Sequence, residues 1–181
     1  IRWLLAASRT EESQELYAEF LDTAASVGLS PTLDADIHTS FEEKFGNNAV
    51  WRKLVKKAGA MLATKDRPIE LIALAAQCVR NSEQDLGQSL FETAVGDLDL
   101  DEHPYVAVAG LRYARQAEDW ATAEKCLQAL LRDDQRLRIA GLWRQASDIA
   151  AQLGDEDESL RRYEQAIELE RRKMLADVRD E

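Results

Sequence analysis

The sequence predicts an all-α protein, specifically an α-solenoid of antiparallel helix pairs, and three observations point to this class. Apolar residues recur every three or four positions through most of the 181 residues, which is the period of an amphipathic helix. The chain has only 8 Gly and 3 Pro, too few for a β fold with many tight turns. Residues 36 positions apart also match in size and polarity over the C-terminal two thirds.

The first 66 residues are expected to form a divergent helical segment that packs on the array. Apolar side chains from Leu16 to Val27 fall at helical spacing, and Gly28 ends that pattern. After a looser stretch, residues 50–62 again show helical spacing. This segment therefore contributes helices but lacks a clear copy of the later repeat.

From residue 67 onward the sequence predicts three helix pairs with a period of 36 residues. Pro68 and Pro104 are 36 positions apart, and each suits the first turn of a helix, where a missing N–H costs little. The expected units are 68–103, 104–139 and 140–175, with the last helix extended to about 180. Small, large and acidic residues recur in fixed slots, namely Gly87/Ala123/Ser159, Phe91/Leu127/Tyr163 and Glu83/Asp119/Asp155.

The last unit resembles the tetratricopeptide repeat (TPR) family. Its first helix carries Trp143-x2-Ala146-Ser147-x2-Ala150, and its second carries Ser159-x3-Tyr163-x2-Ala166. Both follow TPR spacing, although Ala replaces the usual Leu and Tyr in the first helix. The resemblance covers about residues 67–175, with a period of 36 where the family has about 34. It implies a right-handed superhelix in which the first helix of each pair lines a concave face.

The charge balance and the scattered reactive side chains argue against several functions. A net charge of −11 opposes nucleic-acid binding by the field of the whole protein, and no apolar stretch reaches the roughly 18 residues that cross a bilayer. His38, His103, Cys78 and Cys126 lack neighbours at metal-ligand spacing. The sequence therefore predicts no cofactor, no metal, no small-molecule substrate and no enzymatic activity.

Two further expectations concern location and a local basic cluster. The low cysteine content favours the cytoplasm, and because the chain begins at Ile1 we interpret it as a fragment or a processed chain. A cluster on one helical face is either a solvated surface or a small patch for nucleic acid or an acidic membrane. Its members are Arg52, Lys53, Lys56 and Lys57.

The TPR resemblance implies a protein–protein interaction module, an adaptor or scaffold that holds a partner peptide or helix in its concave groove. The inward-facing candidates are Arg80, Tyr105, Arg112, Arg115, Arg144 and Asp148. Because guanidinium groups present forked donors to carboxylates, the arginines predict a groove for an acidic or C-terminal carboxylate-bearing segment. The alternative is that these arginines pair with the many local Glu and Asp side chains.

Two other functions remain open at this point. The chain could be a non-catalytic regulatory domain of a larger enzyme or signalling protein, or a self-assembling structural array. The last helix is expected to cap the array or to form a homodimer with a second chain through an apolar stripe. The predicted stripe consists of Ile167, Leu169, Met174, Leu175 and Val178.

Overall fold

The structure, a computed structural model, describes residues 49–96, 98–133 and 135–177. These residues form seven α-helices and one 3₁₀ turn and contain no strand, which confirms the all-α prediction for this part of the chain. The helices are α1 (Ala49–Thr64), α2 (Pro68–Arg80), α3 (Gln84–Val95), α4 (Pro104–Gln116), α5 (Trp120–Leu131), α6 (Ala140–Gln152) and α7 (Glu156–Asp177). The predictions made for residues 1–48 lie outside the described residues.

Among the described residues, helices that follow one another in sequence pack as antiparallel pairs, within two compact units, one up to residue 96 and one from residue 98. In the first unit α2 pairs with α3, and α1 packs against both of them. In the second unit α4 pairs with α5, α6 pairs with α7, and α6 also contacts α5. The helix predicted over 50–62 is confirmed as α1, which extends slightly further at both ends.

Helix starts and turns recur at a spacing of 36 residues. The first helices of the three pairs begin at Pro68, Pro104 and Ala140, and the second helices begin at Gln84, Trp120 and Glu156. Both prolines occupy the first helical turn, as predicted. The turn inside each pair contains a residue of positive φ at the same place, namely Ser82 at 60°, Glu118 at 57° and Gly154 at 81°. The three turns therefore share one backbone geometry, although only the last has the glycine that this geometry favours.

The predicted slot for small residues, Gly87/Ala123/Ser159, lies where the helices of a pair meet. A Cβ added to Gly87 on α3 would lie 3.0 Å from the carbonyl oxygen of Ala75 on α2. In the last pair, the hydroxyls of Ser159 and Ser147 are hydrogen-bonded at 3.1 Å. Ala123, the middle member of the slot, is fully buried. Small side chains at these positions allow the helices of a pair to approach closely.

Candidate functional site

The outward side of α4 carries Tyr105 and Arg112, two of the predicted partner-binding residues. They are seven residues apart and so lie on the same side of the helix, opposite the buried Ala107 and Leu111. Tyr105 is 75% exposed. The Arg112 side chain is also exposed, and it forms no hydrogen bond or ion pair with any residue in the described part of the chain. An exposed aromatic ring and an available guanidinium therefore share one helix face.

The outward side of α6 lies next to the C-terminal end of α4. Arg115 Nη1 donates to Gln145 Oε1 at 3.3 Å, so a side chain at the end of α4 reaches α6. Arg144 and Asp148, one turn apart on α6, are both exposed. Arg144 Nη2 lies 2.8 Å from Glu170 Oε2 on α7, and this hydrogen bond raises the pKa of the Arg144 guanidinium. Arg144 is therefore held in place by a neighbouring helix.

Five of the six predicted site residues lie in the second compact unit, on two neighbouring helices. We call this set, Tyr105, Arg112, Arg115, Arg144 and Asp148, the α4–α6 surface. The sixth residue, Arg80, ends α2 in the first unit, where its Nη2 donates to Gln77 Oε1 at 2.7 Å. The pairing of arginine with a local carboxylate, which we kept as the alternative, is seen at Arg144 and is absent at Arg112 among the described residues.

A buried arginine on α7 is an ionic feature that the sequence analysis missed. Arg162 is 6% exposed, and its Nη1 and Nη2 donate to the two carboxylate oxygens of Glu124 on α5 at 2.8 and 2.6 Å. Its Nε donates to Glu158 at 2.6 Å, and its Nη1 also reaches the carbonyl oxygen of Ala146 on α6 at 3.1 Å. Hydrogen bonds from Arg161 and Arg162 lower the pKa of Glu158 to about 2. Arg162 thus links three helices of the second unit.

The 36-residue period contains the signal that could have revealed this buried arginine. Arg162 occupies the slot that holds Leu90 in the first pair and Cys126 in the second. Those two side chains are buried and apolar. A charged residue in a slot that is otherwise apolar needs partners, since burial of an unpaired charge is costly. The slot therefore predicts an internal ion pair, although the sequence does not identify Glu124 as the partner.

The described residues show no arrangement typical of metal-dependent or thiol chemistry. Cys78 and Cys126 are both free and buried, and burial raises the pKa of their thiols to about 12 and about 11. Between residues 49 and 177, the described part of the chain contains no group of three or more His, Cys, Asp or Glu side chains that could hold a metal ion. None of the helices described is both long and apolar enough to cross a membrane.

The basic cluster on α1 is partly engaged in an internal contact. Arg52 forms an ion pair with Glu83, whose side chain is 4% exposed. Lys53, Lys56 and Lys57 are exposed, as expected for a solvated helix face. The cluster therefore does not act as one free cationic group, because Arg52 is committed to a buried carboxylate and Lys57 also has an interaction partner.

Compared with known proteins, the chain matches no family model, no curated protein and no solved structure. The TPR resemblance therefore depends on the residues and spacing of this chain alone.

Proposed function

We propose that the chain is a non-catalytic protein-interaction module, built from divergent TPR-like helix pairs, that holds an acidic peptide segment against the α4–α6 surface. The 36-residue recurrence of helix starts and of positive-φ turn residues supports the repeat assignment. Arrays of such helix pairs form extended binding faces from their first helices. Here α4 and α6 are first helices, and their outward sides contain the candidate residues.

The single observation that carries the proposal is an Arg112 guanidinium, unpaired among the described residues, on the same face of α4 as the exposed Tyr105. The protein has 34 carboxylate side chains against 23 Lys and Arg, yet no described carboxylate contacts Arg112. Tyrosine and arginine are enriched among the residues that dominate the binding energy of protein interfaces. A guanidinium can bind a carboxylate through two parallel hydrogen bonds, which adds geometric selectivity. An acidic residue in the partner is the complement that this pair requires.

The remaining members of the surface add order and selectivity. Arg115 and Arg144 are hydrogen-bonded to Gln145 and Glu170, so less rotamer freedom is lost when a partner contacts them. Asp148 is exposed and repels carboxylates, so a basic ligand residue is favoured at that end. The surface thus favours a peptide with an acidic residue over α4 and a cationic residue over α6.

The experiment that tests this function selects peptides from a random phage-displayed library on the immobilised protein and measures their Kd by fluorescence anisotropy. The proposal predicts enrichment of peptides that carry an acidic residue, and a Kd at least tenfold weaker for Arg112→Glu, since loss of a charge-assisted pair at an interface costs about 1.4 kcal/mol or more. Tyr105→Ala is expected to weaken binding similarly. Lys125→Glu is the matched control, because it makes the same charge change at an exposed position on the second helix α5.

Two results contradict the proposal. Selected peptides that bind Arg112→Glu as tightly as the wild-type protein place the binding site elsewhere. Equal weakening by Arg112→Glu and Lys125→Glu shows a general effect of net charge instead of a local contact, and raising the salt concentration should then abolish the difference from the wild-type protein.

A further inference from the structure

The outward side of α7 carries a row of exposed apolar side chains. Its members are Leu160, Tyr163, Ile167, Met174 and Leu175, and all five are exposed. The first four are three, four and seven residues apart and so lie along one side of the helix, and Leu175, next to Met174, widens the row at its C-terminal end. The observed row begins earlier than the stripe predicted from sequence and omits Leu169, which is only partly exposed and lies on another side of α7. Val178, the last residue of the predicted stripe, lies outside the described residues.

The repeat shows that this side of the helix is covered elsewhere in the second unit. Tyr163 occupies the same slot as Leu127 on α5, which is fully buried, and α6 packs against α5. No described helix follows α7, and Tyr163 is 46% exposed. At this position α7 therefore exposes an apolar side chain where α5 buries one.

Two opposite charges on the same side of α7 identify what can cover it. Glu164 and Arg171 are seven residues apart, so they lie on one side of the helix next to the apolar row. Both are exposed, and neither has an ion-pair partner in the portion of the chain that the structure describes. When two α7 helices run antiparallel with their two-fold axis between Ile167 and Glu168, Glu164 faces Arg171 of the partner subunit. In the same arrangement Leu160 faces Leu175 of the partner subunit.

We propose that two copies of the chain pair through α7 in an antiparallel arrangement that buries the apolar row and forms two reciprocal Glu164–Arg171 ion pairs. Opposite charges that flank an apolar helix seam set partner choice and orientation, and here each copy supplies one charge of each sign to the seam. Glu170, which lies seven residues after Tyr163 on α7, pairs with Arg144 of the α4–α6 surface, so the two proposed sites adjoin. The dimer is therefore tested by molar mass without peptide, and that result does not depend on the peptide-binding function.

The experiment measures the molar mass of the full chain by size-exclusion chromatography with light scattering over a range of concentrations. The wild-type protein is expected to approach twice the mass of one chain as concentration rises. Glu164→Arg alone and Arg171→Glu alone each place like charges opposite one another in both pairs, and each is expected to raise the dimer Kd roughly tenfold. An equimolar mixture of the two variants restores both pairs and should dimerise as well as the wild-type protein.

The double variant Glu164→Arg/Arg171→Glu, which exchanges the two charges within one chain, should also dimerise and shows that the substitutions leave folding intact. A wild-type protein that stays monomeric at the highest concentration overturns the proposal. So does a dimer that either single variant leaves unchanged, because the contact then lies on another surface. Failure of the mixed variants to recover overturns the antiparallel arrangement.

Discussion

A methyl group added at Gly87 enters space that α2 already occupies. The new Cβ would lie 3.0 Å from the carbonyl oxygen of Ala75 and 3.0 Å from Cγ2 of Val79, and 3.4 Å from Cβ of Cys78. The first contact is with backbone, which cannot rotate away as a flexible side chain can. Relief therefore requires α2 and α3 to move apart, and this separation loosens the apolar contacts on either side of the crossing.

The size of the effect follows from a comparison with Gly141, a second helical glycine. Near Gly141, in the first turn of α6, an added Cβ meets nothing within 4 Å. Gly141→Ala should therefore gain helix propensity alone, about 0.5 kcal/mol of unfolding free energy. Gly87→Ala gains a similar amount but loses about 1–3 kcal/mol through overpacking, for a net loss of about 0.5–2.5 kcal/mol. Gly87→Leu should lose more than Gly87→Ala.

The assay is equilibrium unfolding in urea followed by far-ultraviolet circular dichroism, with each variant compared with the wild-type protein. The midpoint should fall for Gly87→Ala and rise for Gly141→Ala, with the slope unchanged in both cases. A Gly87→Ala protein at least as stable as the wild-type protein would refute the close approach of α2 and α3 and, with it, the assignment of Gly87 to the small slot of the repeat.

Three further predictions concern the buried charges and thiols. Arg162→Met should lower the free energy of unfolding, measured in urea, by roughly 1–3 kcal/mol, because it leaves the partly buried carboxylates of Glu124 and Glu158 without this partner. As a control, Arg172→Met removes an exposed ion pair and should change the free energy of unfolding by less than about 0.5 kcal/mol. The pKa of Glu158 falls from its ordinary 4.5 to about 2 on folding. The ionised Glu158 therefore contributes fully to the free energy of unfolding above pH 4.5, and this contribution is lost as the pH falls towards 2. In Glu158→Gln, the unfolding free energy should therefore fall less steeply than in the wild-type protein as the pH is lowered through this range. Cys78 and Cys126 should resist a thiol-specific reagent in the folded protein and react in urea, since burial raises both pKa values.

Much of the described helical architecture could be predicted because it depends on local rules that repeat. A proline in the first turn predicts the start of α2 and the start of α4. The helical spacing of apolar residues identifies α1. The 3₁₀ turn Arg136–Arg138 was not predicted. It lies before α6, and Trp143 Nε1 donates to the carbonyl oxygen of Leu137 at 2.8 Å. That bond depends on the path of the preceding loop, which apolar spacing does not reveal.

The helical period predicts which side chains of the candidate site lie on the exposed side of a helix, but it does not predict which of them are paired. The period places Tyr105 and Arg112 on the side of α4 opposite its buried residues, and the structure shows both side chains exposed. The ion pair of Arg144 with Glu170 joins positions 26 residues apart, and it depends on how α6 crosses α7. Which arginine is engaged and which is available is therefore a property of tertiary packing.

An acidic residue stands at the start of the second helix of each pair, at positions 36 residues apart, and its role differs between the pairs. Asp119 accepts a hydrogen bond from the backbone N–H of Thr122 at 3.1 Å, and Asp155 accepts one from Glu158 at 3.0 Å. Both are side-chain caps of the kind that satisfy free N–H groups at a helix start. Glu83 occupies the same slot and makes no such cap.

The longer side chain of Glu83 instead connects the first pair to α1, where it forms an ion pair with Arg52. Glu83 is buried, and its Oε1 has no hydrogen-bond partner, so the pair offsets only part of the cost of removing the carboxylate from water. Stability alone therefore does not explain an acid at this position. An apolar contact would tolerate a rotation of α1 about its axis, whereas a buried carboxylate requires the cation to arrive at one place. The Arg52–Glu83 ion pair therefore fixes one point of contact between α1 and the first helix pair.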